Sequence, residues 1–380
     1  MSEENIPIVI DNGSGFTKAG FAGEESPRSV FPSIVGHPNY VASIIGTKKK
    51  DSYVGDEAAA KSGTLNLKYP IEHGIIANWE DIETIWHHTF YNELRTDPAE
   101  HTVLLTEKPM NTDKNREKMI QIMFETFNAP GFYLEMQEVL SLYSTKRPTG
   151  VVVESGESMT DVVAIKDGHP IKQSIITIPL GGCDVTVWLN KILGDILMKL
   201  DRWKTTVNCY SCNDIKEKCA YVALDYDKEL FESKASHKLD KIYKYPNNGE
   251  QITLNDESFR APEIMFKPHM NGFEFDGVDT CVFNSINKCD KEIQKDLYSN
   301  IITSGGNTLF PGFQERLELE IKKVAPEGIN VQVTRAEAKY PVWRGGSLLA
   351  SSSSFPSNVI LQDMYNDVGP EIINRKRNEI

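Results

Sequence analysis

The chain has 380 residues, 40% hydrophobic and 25% charged, ordinary for a soluble globular protein and long enough for about two to four compact units. That composition excludes a disordered chain, a collagen-like repeat and a disulfide-stapled mini-protein. With 41 Lys+Arg against 54 Asp+Glu the net charge is −13, which argues against nonspecific binding to nucleic acid or to an anionic membrane.

The opening Met1-Ser2-Glu3-Glu4-Asn5 is acidic where a signal peptide needs basic residues ahead of an apolar run. Ile6-Pro7-Ile8-Val9-Ile10 then reads as a buried strand. It ends in Asp11-Asn12-Gly13-Ser14-Gly15, and Phe16-Thr17-Lys18-Ala19-Gly20-Phe21 reads as a return strand, because glycine tolerates the positive φ of a tight hairpin. Residues 37–50 carry no helical period and finish in Lys48-Lys49-Lys50, as expected of an exposed loop.

Two amphipathic helices follow. From Trp79 to Leu94, Ile82, Ile85, Trp86 and Phe90 share one face; beyond Asn115, read as an N-cap, Met119, Ile120, Met123, Phe124 and Phe127 form a second stripe. Core packing accounts for both. The adjacent His87-His88 lacks the i, i+4 spacing of a metal pair and is assigned to helix surface and packing.

The opening pattern then recurs. Gly150-Val151-Val152-Val153 is an apolar strand, Glu154-Ser155-Gly156-Glu157-Ser158 an acidic turn with a glycine, and Met159 to Ile165 a return strand. Two such units in matching context suggest similar α/β halves facing across a cleft. A third glycine turn, Ser304-Gly305-Gly306-Asn307, follows the apolar Ile301-Ile302. Helices are expected near 213–224 and over Glu315 to Val324, the stretch from Gly182 to Gly272 reads as an insertion, and Asn374 to Asn378 as a frayed end.

No stretch reaches the roughly 18–20 apolar residues of a membrane helix. The 6 cysteines, at 183, 209, 212, 219, 281 and 289, have no framework spacing, so the expectation is a cytoplasmic protein with reduced thiols. Cys209-Tyr210-Ser211-Cys212 is a lone CxxC without a second pair or a nearby histidine doublet, and reads as plain cysteines rather than a zinc or redox centre.

Glycine hairpins present backbone N–H groups that surround phosphate, since no Cβ blocks close approach. Ser14 adds a hydroxyl and Lys18 a charge; Asp11 and Glu154, at strand ends, suit a hydrated Mg²⁺ bridging phosphate oxygens. The other reading of each acid is a cap on its own turn. There is no GxxxxGK[ST] loop and, around Ser351 to Ser354, no GxSxG elbow.

The chain resembles actin over nearly its whole length. Asp11-Asn12-Gly13-Ser14-Gly15 with Lys18-Ala19-Gly20-Phe21-Ala22-Gly23 is similar to actin's first phosphate loop, and Val30 to Gly36, Asp51 to Glu57, Lys68 to Gly74, Trp86 to Leu94, Asn115 to Met119 and Gln121 to Phe127 are near-verbatim actin strings. The resemblance implies an α/β ATPase fold shared with heat-shock chaperones and sugar kinases, with two similar halves around a nucleotide cleft. It implies four subdomains: 1–32, 70–144 and 341–380; 33–69, with a subunit-contact loop at 37–50 kept apolar by Tyr40, Val41, Ile44 and Ile45; 145–180 and 274–340; and 181–273, with a plug segment from Lys267 to Glu274.

Carried over residue by residue, the resemblance implies ATP or ADP with Mg²⁺ or Ca²⁺. Asn12, Gly13, Ser14, Gly15, Phe16 and Lys18 form one phosphate loop; Gly156, Glu157, Ser158 and Met159 the other. Gly182, Lys216, Glu217, Gly305, Gly306, Asn307, Leu309, Phe310 and Lys339 fall at nucleotide-contact positions. Asp11, Gln137 and Glu154 fall at the cation, and Gln137, with Asp161, Asp11 and Glu154, at the catalytic centre, where the glutamine positions the attacking water.

The departures bear on activity. Actins usually have Asp where Glu154 and Glu157 stand, and the extra methylene moves a carboxylate by about 1.5 Å, enough to disturb an octahedral Mg²⁺ shell. Ser158 replaces a glycine, Asn213 an arginine near the base, and Asp161 the histidine that helps align water. ATP binding is expected to persist and hydrolysis to slow. The segment before Asp214 is longer than actin's, the terminal cysteine is absent, and the partner groove gains Arg344, Ser352, Pro356 and Asn358. Each apolar side chain no longer available for burial there removes roughly 1.5–3 kcal/mol of partner binding, so affinity for actin-binding proteins is expected to change. The implied partners are other actin subunits, in a homo- or copolymer, and the implied location is the cytoskeleton. The readings are a divergent actin that polymerises, a non-polymerising nucleotide-binding subunit acting through protein interactions, and a metabolite kinase or chaperone, which would not share the Lys68–Gly74 and Trp86–Leu94 strings.

Overall fold

In a computed structural model, residues 6–38, 51–199, 209–246 and 249–379 are described. The chain divides into two compact units, one of residues 1–148 and 336–380, the other of residues 149–335. Each is built on a mixed sheet whose central strands are apolar on both faces.

In the first unit the strand order is Ile360–Leu361, Gly131–Met136, Val103–Glu107, Ile8–Asn12, Phe16–Phe21, Ser29–Pro32. Ile8–Asn12 runs parallel to Val103–Glu107 and antiparallel to Phe16–Phe21. Alternation sends Ile8 and Ile10 to one face, into a cluster with Ile82, Ile85, Trp86, Phe90, Met119 and Phe124, and Val9 to the other, with Leu104, Leu140, Val342 and Trp343. An unbroken apolar run is what a strand covered on both faces requires.

The second unit repeats the plan. Its order is His169–Pro170, Thr160–Lys166, Gly150–Ser155, Ile301–Ser304, Val333–Arg335, with Ile176–Ile178 also pairing Thr160–Lys166. Gly150–Ser155 is again antiparallel to its hairpin partner and parallel to the next strand.

Several expectations change. Helix Trp79–His87 is α-helical, but His88–Leu94 widens to a π-helical turn that closes at Arg95, φ 54°. Thr112, not Asn115, is the N-cap: its extended backbone lets Oγ1 accept from Asn115 N at 3.2 Å, and Asn115 lies inside helix Asp113–Gln121. The helix expected at 213–224 runs from Cys209 to Cys219, because Tyr221 N bonds Ser258 O and Val222 N bonds Pro311 O, drawing the chain into tertiary pairing. The stretch 182–272 packs into the second unit, where Val185, Leu189, Ile192, Ile215, Tyr243 and Leu254 share a cluster with sheet residues Val151, Val153 and Val162.

The C-terminal segment is also anchored rather than frayed. It forms helix Ile372–Glu379, Ile372 and Ile373 are buried, Asn374 Nδ2 bonds Glu117 Oε1 at 2.8 Å, and Arg377 pairs with buried Glu107. Of the 37–50 loop only His37 and Pro38 are described, closing the strand Val35–Pro38; Tyr40, Val41, Ile44, Ile45 and Lys48 to Lys50 lie outside the described residues, as do the side chains of Cys209, Tyr210 and Ser211.

Helix Pro341–Ala350 lies so close to helix Gln137–Ser144 that a Cβ on Gly345 would stand 1.8 Å from Leu140 O. Gly345→Ala is therefore expected to cost about 1–3 kcal/mol of stability, although alanine gains roughly 1 kcal/mol over glycine inside a helix. A fall in the urea midpoint at constant m checks this; an unchanged or higher midpoint would show that the helices separate freely.

Candidate functional site

In the first unit the hairpin register sets Asp11 directly opposite Lys18, so both side chains rise from the same face. Lys18 Nζ meets Asp11 Oδ2 at 2.9 Å. The other carboxylate oxygen accepts from Thr106 Oγ1 at 3.0 Å and from Gln137 Nε2 at 2.9 Å. Asp11 is 3% exposed and Gln137 4%, and burial of a carboxylate demands such saturation. Thr106 also accepts from Asn12 N at 3.1 Å, while Trp86 Nε1 holds Asn12 Oδ1 at 3.0 Å. Gln137 reaches in because it opens the helix that follows strand Gly131–Met136.

The turn itself is tight. Gly13 N bonds Phe16 O at 3.1 Å, and Ser33 ties it from below, donating Oγ to Gly13 O at 2.7 Å and N to Gly15 O at 2.9 Å. A Cβ on Gly13 would meet Phe16 O at 2.8 Å and Lys18 Nζ at 3.2 Å, so only glycine lets the lysine lie against the turn. A fixed cation beside the backbone N–H groups and hydroxyl of Gly13-Ser14-Gly15 makes an anion-receiving loop.

In the second unit the turn closes through Gly156 N to Met159 O at 3.0 Å. Helix Gly182–Lys199 begins against it: Gly182 N bonds Gly156 O at 3.0 Å and Cys183 N bonds Glu157 O at 2.8 Å. Lys216 Nζ donates to Gly182 O at 2.9 Å, and Asn307 Nδ2 to Gly156 O at 2.7 Å. Gly305, φ +87°, touches Ser155 so closely that a Cβ would stand 2.2 Å from its carbonyl oxygen. The Glu157 residue is solvent-accessible, yet its carboxyl end crowds Gly182; burial pushes its pKa up while Lys216 pulls it down.

Glu154 faces Asp161 across this second hairpin, at the step matching Asp11 and Lys18, and both are buried. Thr177 Oγ1 donates to Asp161 Oδ1 at 2.7 Å.

The sequence candidates thus form two groups. Asp11, Asn12, Gly13, Ser14, Gly15, Lys18 and Gln137 share the first unit; Glu154, Gly156, Glu157, Ser158, Met159, Asp161, Gly182, Lys216, Gly305, Gly306 and Asn307 share the second. Phe16 and Leu309 are exposed, Phe310 is buried, and Glu217 is an exposed partner of Asn213 Nδ2 at 2.7 Å. Lys339 belongs to the first unit and lies over the Tyr340 ring. Sequence reasoning missed Thr106. Its signal was a hydroxyl closing the apolar run Val103-Leu104-Leu105.

A family model described as Actin matches residues 2–378. The chain belongs to the actin family. Its mixed α/β architecture is the actin-type ATPase fold, and as an actin-like protein it is a nucleotide-binding protein; nucleotide in this family comes with a divalent cation. Within the first unit, the Asp11 carboxylate and the Gln137 amide are oxygen donors of the kind that hard cations such as Mg²⁺ or Ca²⁺ take. No helix among the described residues is long and apolar enough to cross a membrane.

Thr106→Val keeps the side-chain shape but strips Asp11 of a donor and Asn12 N of its acceptor. A loss of about 1–3 kcal/mol is expected, read by chemical unfolding; wild-type stability would show that the hydroxyl is dispensable.

Proposed function

We propose that this chain is a divergent actin that binds ATP or ADP with Mg²⁺ or Ca²⁺, forms or joins actin filaments in the cytoplasmic cytoskeleton, and hydrolyses ATP slowly. The observation that carries the reading is Lys18, pinned by Asp11 against the Gly13–Gly15 turn. That loop binds phosphate oxygens through N–H groups, the Ser14 hydroxyl and the ammonium. Gly156 to Met159 is the corresponding loop of the second unit, and Gly182, Lys216 and Gly305 to Asn307 supply the remaining nucleotide contacts. Asp11 and Gln137 are the cation ligands assigned to the first unit, Glu154 that of the second. A divalent cation bound by these residues would supply neutralisation of phosphate charge. The same reading divides the chain into the four subdomains given above.

Gln137 orients the attacking water. Its Nε2 is held by Asp11 Oδ1 and Asn12 O, at 2.9 and 3.4 Å, which fixes the amide plane before substrate arrives. Asp161 is the reason for slow turnover. A carboxylate in place of an imidazole adds negative charge where the terminal phosphate is already anionic, and Thr177 occupies one of its oxygens. Altered affinity for actin-binding proteins follows from the helices at 341–358, where Pro356 and Asn358 are exposed and Arg344 Nη1 is bound to Glu24 O at 2.7 Å. This altered groove and Asp161 are also what favours the second reading, a non-polymerising nucleotide-binding subunit.

Pelleting the purified chain in Mg-ATP and salt, with phosphate release followed in the same tube, tests the proposal. A pellet above a critical concentration with slow release is expected; its absence at every concentration favours the second reading. Asp161→His is expected to raise phosphate release, and unchanged or lower turnover would contradict the role given to Asp161.

A further inference from the structure

Strand Gly131–Met136 runs parallel to strand Val103–Glu107, and their register ends with Glu107 opposite Met136. Beyond that step the two segments part, one toward helix Asp113–Gln121 and the other into helix Gln137–Ser144. A side-chain link continues the pairing across the gap: Lys108 Nζ stands 3.6 Å from Glu138 Oε1. We propose that Lys108 is a positioning residue for Gln137, its ion pair with Glu138 fixing the helix turn from which the Gln137 amide reaches Asp11.

The start of that helix carries no side-chain cap. Met136, at the N-cap, makes no side-chain bond to the first turn, so the side chains inside the turn, Gln137 and Glu138, set its place. The Glu138 side chain is 0% exposed and that of Lys108 13%. Removing the ammonium from so buried a carboxylate is costly, and the attraction between them is far stronger than at a surface. An acid in the first turn also suits the positive end of the helix dipole. Lys108 in turn is confined. The turn at His73-Gly74, with φ 48° and 76°, lies against its stem, and a Cβ on Gly74 would stand 2.6 Å from Lys108 Cγ. The stem is packed in place, so the ammonium meets Glu138 from a fixed wall.

Gln137 Nε2 bonds Asp11 Oδ1 and Asn12 O. Those bonds hold the amide at its tip, and the Lys108 pair holds it at its base. Fixed at both ends, the amide oxygen has one direction in which to face a water. A shift of about 1 Å at the helix start would leave the Gly13–Lys18 turn intact yet misalign that water, and misplacement on this scale costs up to about 100-fold in rate. The inference rests on the role proposed for Gln137 and adds the pair that keeps it in place.

The test compares the full chain with Lys108→Met, which keeps most of the stem and removes the charge. Single-turnover phosphate release is followed from ATP already bound, so unfolded chains do not count. Release is expected to fall at least about tenfold while ATP affinity changes by less than about threefold. The double variant Lys108→Met with Glu138→Met removes both buried charges and is expected to regain the parent's Tm without regaining the rate, since an apolar contact is less directional. A crystal structure of Lys108→Met is expected to show Gln137 Nε2 moved out of hydrogen-bond distance of Asp11 Oδ1. Parent-like release from Lys108→Met, a double variant that regains rate along with Tm, or an unmoved amide overturns the inference. Should Lys108→Met fail to fold, release and amide position in the double variant decide it. A parent that binds ATP and releases no phosphate removes the hydrolysis reading alone, and the amide position still decides for or against Lys108.

Discussion

The ion pair between Lys18 and Asp11 is the constraint on which the first unit's site depends. It is a cross-strand pair at 2.9 Å, set by the hairpin register and not by flexible surface charges meeting by chance. An exposed pair of this kind contributes little. Here Asp11 is buried and its second oxygen already takes Thr106 and Gln137, so removing either charge strands the other. The pair thereby fixes three things at once: where the ammonium lies over the turn, which way the Gln137 amide faces, and why position 13 has to be glycine.

The second hairpin repeats the backbone and changes the electrostatics. Glu154 and Asp161 occupy the steps of Asp11 and Lys18, so two acids stand where the first unit pairs an acid with a base. Around it the packing is equally strict. Gly181, Gly182 and Gly305 each have no room for a Cβ, since Glu157, Asn307 and Ser155 stand within 3.0 Å of where it would be. The two hairpins therefore differ in charge more than in backbone plan: each turn closes through a glycine N–H bonded to the carbonyl three residues on, while the groups displayed on them differ.

Much of this was legible in the amino-acid order. Apolar strand, acid, glycine turn and return strand announce both hairpins, because strand periodicity and glycine's φ freedom are local properties. Ile82, Ile85 and Trp86 were likewise readable as one helix face. What the order did not disclose depends on distant partners. Thr106 matters only because the strand Val103–Glu107 lies parallel to Ile8–Asn12. The C-terminal helix looks frayed until Glu107 and Glu117 are seen to hold Arg377 and Asn374. Thr112 and Asn115 are both plausible caps by composition, and only the extended backbone at Thr112 decides between them.

The most direct test of the account is the Mg²⁺-dependent affinity for ATP of the parent chain and of Asp11→Ala, measured by displacement of a fluorescent nucleotide. Tight, Mg²⁺-dependent binding in the parent and its loss in the variant are predicted, because Asp11 pins Lys18 against the turn and is the proposed cation ligand. Parent-like affinity in Asp11→Ala would contradict the central role given to the pair.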